Sequence, residues 1–142
     1  MKISEYLVPI TIGGILLLGV GLFVAPLISP KGTASVNVIE PTLSAQATVG
    51  KGAYDANCAA CHGKSAAGSQ MGPPLVHDIY NPGHHADEAF FRAVKGGVPQ
   101  HHWPFGNMPA RAGVSDQQIA AIVKYVREMQ VANGIKTRPH NM

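Results

Sequence analysis

The stretch Cys58-Ala59-Ala60-Cys61-His62 contains both cysteines of this 142-residue chain, with a histidine directly after the second. On one helical turn, two thiols at this spacing can reach the two vinyl groups of a single haem, and the histidine then lies beneath the iron. C-x-x-C-H is the spacing of c-type haem attachment. The sequence therefore predicts one haem c bound covalently through Cys58 and Cys61, with His62 as an iron ligand.

Three other roles are open to a Cys-x-x-Cys pair: a structural disulfide, half of a zinc site, and a thioredoxin-like redox centre. A zinc site needs two further ligands, normally another close pair of Cys or His. A redox pair is expected within a βαβ unit, and no strand pattern surrounds residues 58–61. Haem attachment fits this setting better than any of the three.

The start of the chain carries an uncharged apolar run from Leu7 to Ile28, LVPITIGGILLLGVGLFVAPLI. At about 1.5 Å of rise per residue, a helix of this length covers the roughly 30 Å hydrocarbon core of a bilayer. A cleaved signal peptide is the alternative, but its apolar region is usually about 7–15 residues long and a small-x-small site follows closely. The run favours a retained transmembrane anchor over residues 1–28.

Residues 29–46, SPKGTASVNVIEPTLSAQ, are rich in Ser, Pro, Thr and Gly and have no sustained hydrophobic period. This composition predicts a flexible tether, and residues 47–142 are then long enough for one small domain. Attachment of c-type haem normally takes place outside the cytoplasm. We therefore expect a single-pass protein of the cytoplasmic membrane, with its N-terminus inside and its haem domain on the periplasmic side.

The charge of the chain gives no indication of a nucleic-acid partner. The formal net charge is +3 at pH 7, and Lys2 and Lys31, which flank the apolar run, account for much of it. Nucleic-acid binding would favour a basic cluster interleaved with aromatic residues, and the sequence contains no such cluster.

Beyond the tether the patterns predict an all-α domain of three helices joined by long loops. The first helix is predicted from about Ala47 to the haem motif, the second over about 86–95, and the third from an S-x-x-Q capping box at 115–118 to about Ala132. No segment alternates like a strand for long enough to build a sheet. Because three short helices bury little apolar surface, a haem at the centre would complete the core.

Two of these helices carry packing signals. In the first, Gly50 and Gly52 alternate with larger residues, an arrangement that admits close approach by another helix. In the third, apolar residues recur at three- and four-residue steps: Ile119, Ile122, Val123, Val126 and Met129. Met129 lies on this stripe and is therefore interpreted as a packing residue rather than an iron ligand.

From about Ala47 to Gln130 the chain resembles a class I cytochrome c domain, a small all-helical monohaem electron carrier. The segment Gly72-Pro73-Pro74-Leu75 resembles the GPxL turn of that family. Asn107-Met108-Pro109-Ala110 resembles the form in which the family presents its methionine ligand. The run IAAIVKYVREM resembles the C-terminal helix that crosses the first helix. The resemblance implies the class I fold, axial ligation by His62 and Met108, and a haem environment that includes Pro73 and Leu75.

The sixth iron ligand has competing candidates. Met108 follows His62 by enough residues to pass round the haem, and His/Met pairing is usual in cytochromes c. His101 and His102 are the alternatives. Met71 adjoins the turn that the resemblance places on the proximal side. By the same resemblance, the carbonyl of Pro73 accepts a hydrogen bond from His62.

Trp103 and the histidines around it are less easily assigned. The indole N–H of Trp103 can donate to a haem propionate, or the ring can simply pack. The pairs at 84–85 and 101–102 are more histidines than the family requires. Ordinary loop residues are the simplest interpretation. A copper or zinc site would need a third ligand at a spacing that the sequence does not identify.

These features favour a membrane-tethered one-electron carrier, either mobile or a subunit of a respiratory, photosynthetic or dehydrogenase complex. Its partners are then redox proteins, no small-molecule substrate is transformed, and the protein is not itself an enzyme. Two alternatives remain open. A haem with an open or histidine sixth position could act on peroxide, nitric oxide or sulfur compounds, with His101 or His102 as acid and base. Such a haem could also act as a ligand sensor or a structural subunit.

Overall fold

A computed structural model describes residues 34–139 of the chain. The predicted anchor over residues 1–28 lies outside the described residues. Between residues 34 and 139, no helix has both the length and the apolar character that a membrane crossing requires.

The described part of the chain is helical, as the sequence predicts. Its α-helices are α1 (Ala45–Asn57), α2 (Ala59–His62), α3 (Asp87–Gly96) and α4 (Asp116–Ala132), and short 3-10 turns cover Lys64–Ala66 and Asp78–Tyr80. Among residues 34–139, β pairing is limited to one antiparallel bridge between Val98 and Met108. Long loops between the helices leave room for a site.

The capping box predicted at the start of α4 is present. The hydroxyl of Ser115 accepts from the backbone N–H of Gln118, and the side chain of Gln118 accepts from the N–H of Ser115. These reciprocal bonds satisfy two backbone donors that a helix N-terminus would otherwise leave unpaired.

Helices α1 and α4 cross at Gly50. A Cβ atom at this position would overlap the backbone carbonyl of Ala121 in α4, so only glycine permits the approach. Gly52 was predicted to share this role, and that prediction is wrong. Gly52 is exposed, and nothing lies within 4 Å of a Cβ added there. Two residues along a helix turn a side chain about 200° around the axis, so the two glycines cannot face the same partner.

The core surrounds this crossing. Tyr54 of α1 and Tyr125 of α4 are buried with ring centroids 5.3 Å apart. Met129 is 1% exposed and belongs to the same apolar cluster, in agreement with its predicted packing role. The other buried members are Ala47, Ala66, Val76, Val94, Val114, Ile119, Ile122, Val123 and Val126.

The helical domain begins earlier than the predicted tether boundary at residues 46 and 47. Helix α1 starts at Ala45 because the hydroxyl of Ser44 accepts from the N–H of Ala47. The residues before it are extended and contact the domain. Val36 donates its N–H to the carbonyl of Ala67 at 2.8 Å, and Ile39 exchanges two hydrogen bonds with the side chain of Asn133. Such pairing uses backbone atoms and leaves no hydrophobic period in the sequence.

Candidate haem site

One cavity of about 410 Å³ opens among the loops that follow α2 and α3. Its volume lies in the range of sites for small organic ligands and cofactors. All seven residues predicted to surround a haem line it: Cys58, Cys61, His62, Pro73, Leu75, Trp103 and Met108. The competing ligand candidates His101 and His102 line it as well. The tertiary structure thus brings the candidate residues to one place without separating these alternatives.

The attachment motif bridges the end of α1 and the short helix α2. His62 donates its N–H to the carbonyl of Cys58 at 2.9 Å, which is the helical turn expected of the motif. Both cysteines are free thiols that line the cavity. Burial raises the pKa of the Cys58 thiol to about 11, against the opposing effect of Arg111. In the unmodified chain this thiol is therefore neutral at physiological pH.

The imidazole of His62 is oriented by the turn at Pro73. Its Nδ1 lies 2.9 Å from the carbonyl oxygen of Pro73. A carbonyl only accepts, so Nδ1 carries the proton and Nε2 keeps its lone pair. Burial lowers the pKa of His62, although the bond to Pro73 acts in the opposite direction. The neutral imidazole is the form that binds a metal.

The Pro73 turn is packed directly against the attachment motif. A Cβ atom on Gly72 would lie 2.9 Å from the carbonyl oxygen of Cys61. The hydroxyl of Ser69 donates to that same carbonyl at 2.5 Å, and the N–H of Ser69 donates to the carbonyl of Gly72 at 3.0 Å. These contacts fix the acceptor for His62 relative to both cysteines.

The backbone of Met108 is fixed by the loop that follows α3. Val98 and Met108 exchange two N–H to carbonyl hydrogen bonds, each of 2.9 Å. Gly97 lies beneath this pair with a φ of +75°, and a Cβ atom there would lie 2.5 Å from the carbonyl oxygen of Met108. The backbone N–H and the backbone carbonyl of Met108 are therefore both hydrogen-bonded, which fixes the position from which its thioether side chain extends.

Trp103 combines packing with an unsatisfied polar atom. Its ring meets His77 edge-on with centroids 5.1 Å apart. Its indole nitrogen is buried and makes no hydrogen bond with the described residues. Burial raises the pKa of nearby Tyr80 to about 12, and the neighbouring Trp103 indole opposes this shift. A buried donor without an acceptor is costly, so this N–H fits a bound group that offers oxygen atoms.

Two residues that sequence reasoning missed connect the loops around the cavity. Gln130 is 1% exposed and donates from its side chain to the carbonyls of Leu75 and Tyr80. Arg127 donates to the carbonyls of Tyr80 and His85 and to the side chain of Gln130. A signal was present, because Gln130 lies four residues after Val126 on the apolar stripe of α4. A polar side chain at such a position needs buried partners.

The cytochrome c family model matches residues 47–130 of this chain. The chain belongs to the cytochrome c family. Its helical fold and its one C-x-x-C-H motif place it among the class I cytochromes c. A domain of this family with this motif carries one covalent haem c, here through Cys58 and Cys61. The cavity fits that group, because it contains both thiols, the oriented His62 and the unpartnered indole of Trp103.

Two similar proteins extend this finding. The cbb3-type cytochrome c oxidase subunit CcoP of Rhodobacter capsulatus is 30% identical over 94 residues, which cover 63% of this chain and 31% of that protein. The chain thus matches about a third of the length of this curated relative. The crystal structure of the c-type cytochrome XoxG from Methylobacterium extorquens AM1 superposes with a TM-score of 0.50 at 20% identity, covering 82% of this chain and 80% of that one. At that identity the likeness extends to the fold alone.

Proposed function

We propose that this cytochrome is a one-electron carrier whose haem iron is ligated by His62 and Met108. The observation that carries the proposal is the shared cavity, which Met108 lines together with His62 and both attachment cysteines. The bound haem supplies the redox chemistry, a change of its iron between the ferric and ferrous states.

The residues of the chain prepare the site for that chemistry. His62 is held neutral by burial and oriented by the carbonyl of Pro73. Met108 is placed by its backbone pairing with Val98. Its thioether would favour the ferrous state and raise the reduction potential. If His62 and Met108 both bind the iron, these two side chains would occupy the positions that a substrate of the iron would need.

The ligand assignment is tested with Met108→Ala and with Met71→Ala as the matched control. Both methionines line the cavity, but Met71 is exposed and follows the attachment motif closely. A ferric iron–thioether bond gives a weak near-infrared charge-transfer band. We expect Met108→Ala to lose this band and to lower the reduction potential, because the ligand that favours ferrous iron is removed. Met71→Ala should keep both.

The histidine alternative gives the opposite pattern. If His101 or His102 is the ligand, their double replacement by Gln will abolish the low-spin spectrum, whereas Met108→Ala will keep it. That outcome would overturn His/Met ligation.

The alternative function, a haem enzyme or ligand sensor, requires an accessible iron. His101 and His102 at the cavity provide imidazoles for such chemistry. Carbon monoxide added to the reduced cytochrome distinguishes the two functions. We expect no ready binding to the wild type and ready binding to Met108→Ala. Ready binding to the wild type would favour the enzyme or the sensor.

We also propose that residues 1–28 anchor the cytochrome to the cytoplasmic membrane, with the haem domain on the periplasmic side. The support is the uncharged run from Leu7 to Ile28, which is long enough to span a bilayer. The full chain should resist carbonate extraction and retain its N-terminal residues. A soluble mature protein whose sequence begins after residue 28 would show that a signal peptide is cleaved instead.

Redox proteins are the proposed partners, either in transient encounters or within a membrane complex. The similarity to an oxidase subunit supports the second arrangement. Arg92 and Arg111 line the cavity and are exposed, so a partner with an acidic docking face fits this surface. Purification of the full chain in mild detergent, with identification of co-purifying redox subunits, tests for a stable complex.

A further inference from the structure

Two loops bring histidines together at the rim of the haem cavity. His84 and His85 come from the loop before α3, and His101 and His102 from the loop before Met108. The Nε2 atoms of His84 and His102 are 3.3 Å apart. One ring nitrogen from each of His84, His85 and His102 lies within 4.8 Å of the other two. Three imidazoles therefore converge, two from adjacent residues of one loop and the third, His102, from another loop.

The separation of the His84 and His102 nitrogens matches a metal site. Zinc is bound by imidazole nitrogens at about 2.0–2.1 Å with tetrahedral geometry, which places two ligand nitrogens roughly 3.3–3.4 Å apart. The observed distance of 3.3 Å is compatible with that spacing, although the two nitrogens are hydrogen-bonded to each other in this structure. A metal bound here would replace the proton that this hydrogen bond requires. The other pairs of ligand nitrogens in the group are no more than 4.8 Å apart, so metal binding would require the rings to move closer together.

His85 has the tautomer that a metal ligand requires. Its Nδ1 lies 2.7 Å from the carbonyl oxygen of Ile79, which only accepts, so Nδ1 carries the proton. Its Nε2 therefore presents a lone pair. A hydrogen bond from the second ring nitrogen to a backbone carbonyl is the usual support of a metal-binding histidine.

The backbone that carries His84 and His85 is firmly supported. Both N–H groups donate to the carbonyl of Asn81, at 3.1 and 2.9 Å. Arg127 donates to the carbonyl of His85 at 2.5 Å and pairs with Asp87 at 2.8 Å. Because a metal site needs ligands held in place before binding, this support favours affinity.

Burial and neighbouring rings favour the neutral form of the His85 imidazole. Burial lowers the pKa of His85, and the neighbouring rings of His84, His102 and His101 lower it further, while the bond to Ile79 opposes the shift. Neutral imidazole is the form that binds a metal.

We propose that His84, His85 and His102 bind a divalent transition metal of the zinc and copper class, with further coordination left to water or a small anion. Imidazole is a preferred ligand of both metals. The third ligand that the sequence did not identify is His102, supplied by the second loop. This proposal rests on the ligation of the haem iron by His62 and Met108 proposed above, because a His102 bound to the iron would not be available to this second metal.

The experiment uses the haem-loaded cytochrome after EDTA has removed metal ions other than the haem iron. Titration calorimetry then measures its affinity for Zn²⁺. His84→Gln and His102→Gln should each weaken binding at least about tenfold, because even the loss of a supporting residue of a metal site costs that much. His101→Gln is the matched control. It removes an adjacent exposed imidazole, whose Nδ1 lies 2.8 Å from the carbonyl of Pro99, and should leave the affinity unchanged. X-ray absorption of the zinc-loaded protein should give nitrogen ligands at about 2.0–2.1 Å.

Several outcomes would overturn the site. Equal Zn²⁺ affinity in the wild type and in the His84→Gln/His102→Gln double variant would show that zinc binds elsewhere on the protein and not at this site. An equal loss in His101→Gln would contradict the three-ligand assignment. If the variants change the haem spectrum while the wild type binds no Zn²⁺, the imidazoles serve the haem instead. His102 is exposed, so His102→Gln keeps the test valid if a change at half-buried His84 impairs folding.

Discussion

Gly97 joins the end of α3 to the Met108 segment in a conformation that other residues avoid. Its φ is +75° and its ψ is −179°, a region that is essentially restricted to glycine. We predict that Gly97→Ala lowers the free energy of unfolding by about 1–3 kcal/mol, because the alanine is strained there. The added methyl also meets the Met108 carbonyl, so the near-infrared thioether band should weaken. Denaturant unfolding and ferric absorption spectra measure these effects.

Gly96 provides the control for that change. It is the last residue of α3, and nothing lies within 4 Å of a Cβ atom added to it. Gly96→Ala should be neutral or raise stability by up to about 1 kcal/mol, since glycine is a poor helix former. Equal losses in the two variants would show that the Gly97 conformation has no special role.

At the scale of elements, the crossing of α1 and α4 depends on one glycine. We predict that Gly50→Ala lowers the free energy of unfolding by about 1–3 kcal/mol or more, because its methyl overlaps the Ala121 carbonyl and forces the helices apart. Gly52→Ala, in the same helix, should raise stability by about 0.5–1 kcal/mol. Chemical denaturation of the haem-loaded protein tests both. A stabilised Gly50→Ala variant would contradict the packing described for this crossing.

The ends of the same two helices are also connected by polar contacts. Glu128 of α4 accepts hydrogen bonds from the backbone N–H and the hydroxyl of Ser44, at 2.9 and 2.7 Å. These bonds lower the pKa of the Glu128 carboxyl. Ser44, which caps α1, is thereby also hydrogen-bonded to α4. This contact links the N-terminus of α1 to helix α4.

For the molecule as a whole, the partly buried imidazoles of His62 and His85 predict a loss of stability in acid. Burial lowers the pKa of both His62 and His85 in the folded protein, while an unfolded histidine titrates near about 6.5. As pH falls below about 6.5, the unfolded chain binds protons that the folded protein does not. The free energy of unfolding therefore decreases toward acid and levels off above that pH.

Guanidinium unfolding at about pH 7.5 and about pH 5.5, in the presence of EDTA, measures this dependence. We expect a lower midpoint at the acidic pH and a smaller decrease in His85→Gln, which removes one of the two groups. A midpoint that is constant, or that rises toward acid, would show that these histidines are not the groups that control stability.

The features of this cytochrome that could be predicted from the sequence are formed by residues that are close together in the chain. The haem attachment motif, the capping box at Ser115 and the apolar stripe of α4 each lie within one or a few helical turns, so local geometry alone gives them meaning. The same holds for the short turn at Pro73. All seven residues predicted to surround the haem line one cavity. The attachment motif, the turn and the Met108 segment are each local units, and each keeps its local conformation when the domain folds.

Tertiary structure decided the features that depend on pairs of distant residues. Which glycine meets α4 depends on the rotation of one helix against another, and this placed Gly50 at the contact and Gly52 in solvent. The burial of Gln130 among the carbonyls of two loops depends on the paths of those loops. The approach of His102 to His84 is of the same kind. Sequence spacing carries no information on such contacts, since loop closure sets them and they form only when the whole core is assembled.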